Sequence, residues 1–183
     1  MIRLLDFCFS LFGLLAASPF LVFLYILGLF DTGSPLFLQE RVGRNKKPFT
    51  LVKFRTMSVD TVSVASHLAS SASITKLGGF LRKTKLDELP QLWNVLRGEM
   101  SLVGPRPGLF NQEELLTERD ALQVFDVRPG ITGLAQVSDI DMSTPKLLAQ
   151  TDAKMIASFS LINYFTYIVQ TVTGKGSGDR VRR

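Results

Sequence analysis

The sequence predicts an α+β protein. It would be a mostly helical, membrane-associated domain with a small β-hairpin, an N-terminal kinked membrane helix and interfacial amphipathic helices. Three observations predict this. Residues 7–30 carry no charge over 24 positions, about 36 Å as a helix and enough for a hydrocarbon core of roughly 30 Å. Two alternating, β-type stretches follow, separated by a polar turn. The last apolar stretch, 155–174, sets Met155, Phe159, Ile162, Phe165, Val169 and Val172 on one side and neutral polar groups elsewhere. That pattern suits an interfacial helix, with a core-facing helix as the alternative.

Composition narrows the chemistry. The 183 residues amount to about one domain,. Apolar residues make up 46% and charged residues 20%, which excludes a disordered chain,. A net charge of +5 suits an anionic partner: nucleic acid, phospholipid or a phosphorylated substrate,. With Cys8 and His67 the only residues of their kinds, a disulfide framework, a cysteine zinc site and a histidine cluster are excluded. Any catalysis must come from carboxylates, Lys and Arg, or hydroxyls.

Taken in order, the first element is a retained membrane anchor. It ends in Leu29-Phe30-Asp31 without the small-residue exit of a cleaved signal,. Ser18-Pro19, near its middle, predicts a kink. The next segment, from Arg41 to Arg55, has six basic residues and no acid, which marks the following domain as cytoplasmic by the positive-inside rule. A straight helix would leave a stub with Arg3 and Asp6 outside. A helix bent at Pro19 would return both ends to the cytoplasmic face, with Arg3 at lipid phosphates. Sequence physics leaves both open. The expected organisation is a membrane helix over 1–31, a catalytic domain over 32–173 and a basic flexible tail over 174–183.

The hairpin is LFLQERV, GRNKKP, FTLVKFRTM, where Arg44, Lys46 and Lys47 suit a solvated turn or a headgroup contact. A Ser/Val/Ala-rich loop with some helix follows over 58–73, and His67 within it is read as incidental. LGGFLRKT and LDELPQLWNVLRGEM are helical in type. In the second, Leu89, Leu92, Trp93 and Leu96 share a face, Pro90 must lie in the first turn, and Thr84 with Asp87 has capping-box spacing. Asp87 and Glu88 then stand at or just before a helix N-terminus. Another long helix, LFNQEELLTERDALQVF, lies between two rigid turns, GPRPG at 104–108 and RPGITG at 128–133.

No Walker A sequence, G-x-S-x-G elbow or H-E-x-x-H pair occurs,. What stands out is Asp87-Glu88, set in a region (41–106) with twelve basic residues against four acidic ones. Alone, the pair reads as an N-cap with salt bridges. The two rigid turns shift that balance, because each presents one arginine, Arg106 or Arg128, as a preset bidentate donor for phosphate. Anchor, carboxylates and arginines together point to phosphoryl chemistry at a lipid surface.

The segments KFRTM, LRKTKLDELPQLWNVLRGEMSLVGPRP and DVRPGITGLAQV, in that order and spacing, resemble the bacterial sugar transferases, the monotopic polyprenyl-phosphate phosphoglycosyl transferases. The resemblance runs from the Ser-Pro helix to about Asp152 and fits the family's minimal catalytic form, with no extra N-terminal membrane domain. It implies transfer of a phosphosugar from a UDP-sugar to undecaprenyl phosphate with release of UMP, and a requirement for Mg2+. It implies Asp87 as nucleophile and metal ligand, and Glu88 as a metal-side or orienting carboxylate. Arg106 and Arg128 would contact phosphate and uridine-phosphate, Lys53 and Arg55 would lie near the site, and Asp152 would complete the metal environment. Ala153-Lys154-Met155 depart from the aromatic residues the family often carries after that aspartate. The family's re-entrant helix favours the bend at Ser18-Pro19. Membrane phospholipid is an expected partner, and a monomer or homodimer is expected. Nucleic acid is not, since residues 41–47 lack interleaved aromatics,. A purely structural membrane scaffold is the other alternative, and in it Asp87 would have no role in turnover.

Overall fold

The first helix organises everything after it. In the computed structural model, which describes residues 1–61 and 73–176, α1 spans Ile2–Thr32, about 46 Å at 1.5 Å per residue. Among the described residues it is the one helix long and apolar enough to cross a membrane. Pro19 lies within α1 without ending it. A proline has no N–H for the carbonyl four residues back, and Ser18 Oγ donates to that Leu15 carbonyl at 2.8 Å instead. The helix closes at Gly33, whose φ of +71° is left-handed and whose N–H returns to Leu29 O,.

Strands β1 (Leu36–Val42) and β2 (Pro48–Phe54) form the expected antiparallel hairpin, in register from Leu36↔Phe54 to Val42↔Pro48. Its tip is a 3₁₀ turn over Arg44–Lys46, with Asn45 at φ +54°. Next come α2 (Lys76–Thr84), a 3₁₀ turn over Leu86–Glu88, and α3 (Gln91–Arg97). Strand β3 (Ser101–Val103) pairs in parallel with β4 (Gly130–Thr132), and α4 (Glu113–Ala121) lies between them in sequence. The chain continues through α5 (Leu134–Val137), α6 (Pro145–Ala157) and α7 (Leu161–Val172). Most of the expected Ser/Val/Ala-rich loop, His67 included, and most of the tail lie outside the described residues.

Several helices differ from expectation for identifiable reasons. Thr84 does not cap the turn at Asp87. Its hydroxyl donates to Phe80 O and Leu81 O, because left-handed Lys85 closes α2 one residue later. The cap of α2 is Thr75, which accepts from Gly78 N at 2.9 Å. The expected helix over 109–125 shortens to α4. Its leading residues turn instead, with Leu109 N donating to Gln112 Oε1. The stretch 155–174 divides between α6 and α7 because Ser160 caps a new helix, accepting from Asn163 N.

The interior of α3 is formed by Gln91, Asn94 and Val95. The predicted face points the other way: Leu92 meets Gly13 of α1, and Trp93 is half exposed. Both ends of α1 hold the same domain. Arg3 donates to Val95 O and Leu96 O, two terminal carbonyls of α3,. Buried Asp6 accepts from Ser101 Oγ, Leu102 N and Tyr164 OH at 2.8–3.0 Å. At the far end Leu24 packs with Phe54 and Leu81. The opposite surface of α1 exposes Leu4, Phe12, Leu15, Val22 and Phe30. On α7, Tyr164 and Tyr167 face inward while Ile162, Val169 and Val172 are exposed, which is the interfacial arrangement rather than the core-facing one. Phe9 and Phe165 meet edge to face, joining the two exposed stripes.

Candidate active site

The hairpin supplies the first cation. Alternation puts Phe49, Leu51 and Lys53 on the inner face of β2, and all three are buried,. Gln39 and Arg41 of β1, paired with Leu51 and Phe49, share that face and are buried too. Lys53 therefore reaches inward, where Nζ lies 3.2 Å from Glu88 Oε1.

The carboxylates come from the turn between α2 and α3. Left-handed Lys85 and N-capping Pro90 confine Asp87 and Glu88 to a single 3₁₀ turn. Asp87 is only 5% exposed. Glu88 accepts from Lys53 and, at 2.9 Å, from Arg106 Nη2. Two cations on one oxygen fix this carboxylate, and with it the turn that carries Asp87. Burial pushes the neighbouring Lys85 ammonium below its usual value, with Glu88 pulling it back up.

The first proline turn follows β3 and the second leads into β4. A Cβ on Gly104 would lie 2.5 Å from Arg128 O, and one on Gly130 would lie 2.0 Å from Gly104 N. Only glycine lets the two turns touch. Their arginines nevertheless go to different places. Arg106 joins Lys53, Arg41 and Gln91 around a cavity of about 10 Å³ beside Glu88, room for one oxygen atom. Gln91 Nε2 is buried there without a hydrogen-bond partner. Arg128 donates Nε to Gly98 O at 2.8 Å and lines a separate cavity of about 370 Å³ with Arg3 and Arg44. Arg55 binds Ser34 O and Leu36 O and stacks over Phe37, so its guanidinium secures the junction of α1 and β1.

Asp152 is placed differently from a metal ligand. It is fully buried, and its Oδ2 accepts from Arg119 Nε at 3.0 Å and Nη2 at 2.7 Å. Burial pushes the carboxyl above its usual range, against the pull of the Arg119 guanidinium. Arg119 occupies Oδ2, and Oδ1 is buried without a hydrogen-bond partner; a divalent cation there would lie beside a fixed guanidinium, so Asp152 fits the role poorly. Among the described residues no three His, Cys, Asp or Glu side chains cluster for a metal. Mg2+ does not need such a cage. It is commonly held by one or two carboxylates together with substrate phosphates and water, and Asp87 fits that use.

Glu88 also lines a groove of about 860 Å³. Leu89, Leu92, Leu102, Ile131 and Ile168 make its surface apolar, and Arg82, Lys83 and Lys85 give it a basic border. An aliphatic ligand with an anionic head matches both features. Arg41, Gln91 and Arg119 escaped the sequence reading. Only the first had a visible signal, its in-phase alternation with Lys53 across the hairpin.

A carboxylate turn clamped by Lys53 and Arg106 thus borders an apolar, basic-edged groove, in a chain that carries one membrane-type helix among the described residues. The chain belongs to the bacterial sugar transferase family, whose model matches residues 1–175. It is 38% identical to the UDP-galactose-lipid carrier transferase of Erwinia amylovora over 93% of this chain and 40% of the relative. It is 38% identical to the undecaprenyl-phosphate galactose phosphotransferase of Salmonella typhimurium over 78% of this chain and 34% of that protein. The exopolysaccharide production protein PSS of Rhizobium leguminosarum is 37% identical over 94% of both chains. The chain thus spans about two fifths or less of the first two relatives and nearly all of the third.

Proposed function

We propose that this protein transfers a phosphosugar from a UDP-sugar to polyprenyl phosphate, releasing UMP, and so begins assembly of a bacterial glycan at the cytoplasmic face of the inner membrane. The observation that carries this reading is the Glu88 carboxylate held between Lys53 and Arg106, one residue from buried Asp87 and on the wall of the apolar, basic-edged groove. Relatives named for a lipid carrier and for undecaprenyl phosphate support it.

In the first half-reaction an Asp87 oxygen attacks the phosphorus that bears the sugar. The bond from that phosphorus to the UMP oxygen breaks, UMP leaves with the electron pair, and an aspartyl phosphosugar remains. In the second, a polyprenyl phosphate oxygen attacks the same phosphorus and Asp87 departs as carboxylate. Lys53 and Arg106 offset the charge that gathers on the phosphate oxygens, and Glu88 orients both. Asp87 is the residue that would hold Mg2+, which would add charge neutralisation on the substrate phosphates. Turnover is tested by UMP release across a panel of UDP-sugars with polyprenyl phosphate in detergent. No release with any donor would end the proposal.

Measuring the two half-reactions separately tests each arginine. Arg106→Lys keeps charge but loses the planar fork, and removing a hydrogen bond to a charged group costs about 1.5–3 kcal/mol, roughly ten- to a hundred-fold in kcat/KM. It should slow adduct formation on Asp87. Arg128→Lys forfeits the bond to Gly98 O. If Arg128 contacts the nucleotide it too slows adduct formation, whereas a bracing role alone would lower the melting temperature and leave both half-reactions unchanged.

Both ends of α1 grip the same domain, which supports the bent topology. In a Cys8→Ser background, Ile2→Cys is expected to react with an impermeant maleimide only from the cytoplasmic side. Labelling from outside would establish a spanning helix.

A further inference from the structure

We propose that Arg119, held by Asp152, is a positioning residue that fixes the loop presenting Arg106 to the carboxylate turn. This rests on the phosphate-contacting role given to Arg106 above. The loop over 104–108 is bound in an unusual way. Four consecutive carbonyl oxygens accept from three parts of the fold, β4, α4 and β1: Pro105 O from Gly130 N at 2.9 Å, Arg106 O from Arg119 Nη1 at 2.8 Å, Pro107 O from Arg41 Nη1 at 3.1 Å, and Gly108 O from Val42 N at 3.0 Å. Backbone amides hold the two outer carbonyls. Side chains of two buried arginines hold the two inner ones.

Proline sets the loop apart. Pro105 and Pro107 have no N–H to donate, so the loop cannot form a regular two-way strand ladder on either side of Arg106. Its carbonyls still need donors, and a buried carbonyl without one is destabilising. Arg119 is 2% exposed on α4, and all three of its donor positions in use are accounted for: Nε and Nη2 on Asp152 of α6, Nη1 on the loop. The bidentate grip on Asp152 sets the plane of the guanidinium, and that plane aims Nη1 at Arg106 O. Backbone and side chain of Arg106 move together, so a displaced carbonyl displaces the guanidinium that meets Glu88 at 2.9 Å.

Stability alone does not explain the pair. Buried ion pairs can often be replaced by apolar residues of similar volume without loss of stability, and α4 and α6 already share an apolar cluster of Leu115, Ala135 and Leu148. What an apolar pair could not do is donate to the carbonyl between two prolines.

The test is a double-mutant cycle in the full chain, with Arg119→Lys, Arg106→Ala and their combination. Initial rates of UMP release are measured with whichever UDP-sugar the wild type accepts. One ammonium cannot occupy three donor positions. Arg119→Lys should therefore lower kcat/KM about ten- to a hundred-fold, the scale expected from a displacement of roughly 1 Å at a reacting site. Placed on Arg106→Ala, the same change should cause no further loss, because the residue through which it acts is gone. Independent, multiplying losses would overturn the proposal, as would wild-type rates for Arg119→Lys. Should Arg119→Lys fold poorly, the paired Arg119→Met, Asp152→Leu variant removes the same donor without leaving a buried charge, and the same non-additivity with Arg106→Ala is required of it. A wild-type chain inert towards every donor would instead sink the functional reading, and the positioning role with it.

Discussion

Asp87→Asn is expected to abolish turnover while leaving the fold intact. The amide has the shape of the carboxylate but cannot displace UMP from phosphorus. Loss of a covalent nucleophile typically lowers kcat by about 10⁴-fold or more. The turn should survive, because its neighbour Glu88 is anchored by Lys53 and Arg106 rather than by Asp87 alone. Wild-type protein given its UDP-sugar without acceptor should gain the mass of one phosphosugar, located on Asp87 by peptide mapping, and the variant should gain none. UMP release at near-normal rates by Asp87→Asn, or an adduct on another residue, would remove Asp87 from the nucleophile's role. The experiment separates this reading from the scaffold alternative, in which the substitution has no effect on turnover.

What could be read in the chain before its structure was mostly local. The hairpin was visible in strand alternation around a turn, and the Asp87-Glu88 turn in a carboxylate pair followed by Pro90. The proline turns were visible as isolated arginines between prolines and glycines. Their meeting was not, because it depends on Gly104 and Gly130 lying together across a parallel pair of three-residue strands. Periodicity likewise predicted an apolar face for α3 but not what it would face, and for α7 it suited an interface with the core as the alternative. In a soluble domain those faces would turn inward. Here Trp93 of α3 and Ile162, Val169 and Val172 of α7 are exposed, while polar Gln91 and Asn94 are buried. Asn94 is buried because it replaces a strand neighbour, accepting from Val52 N and donating to Thr50 O.

Arg119 shows the remaining limit. In EELLTERDA it reads as one more charge on a polar helix, and α4 does carry a weakly sided pattern. Its partner Asp152 is 33 positions away on another helix, a separation that no local pattern encodes. The resemblance to the family attached Asp152 to the metal environment because it matches an acidic position that follows the RPGITG turn. The structure gives it a guanidinium instead.

That difference leads to the second large effect. Asp152→Leu should destabilise the protein by about 3–5 kcal/mol, the range for removing one partner of a buried ion pair. Nε and Nη2 of Arg119 would be left buried with no acceptor, beside an apolar side chain that cannot be hydrated. For a chain of this size the melting temperature in detergent should fall by roughly 10 °C or more. Combining Asp152→Leu with Arg119→Met should recover most of that loss, since neither charge then remains to be solvated. A milder change, Asp152→Asn, keeps an acceptor for Arg119 and serves for the metal question. If Asp152 ligated Mg2+, Asp152→Asn would raise the Mg2+ concentration for half-maximal activity by tenfold or more and leave the melting temperature near wild type. The geometry predicts the reverse: an unchanged Mg2+ requirement in Asp152→Asn, and a stability defect that appears with Asp152→Leu and disappears when Arg119 is removed alongside it.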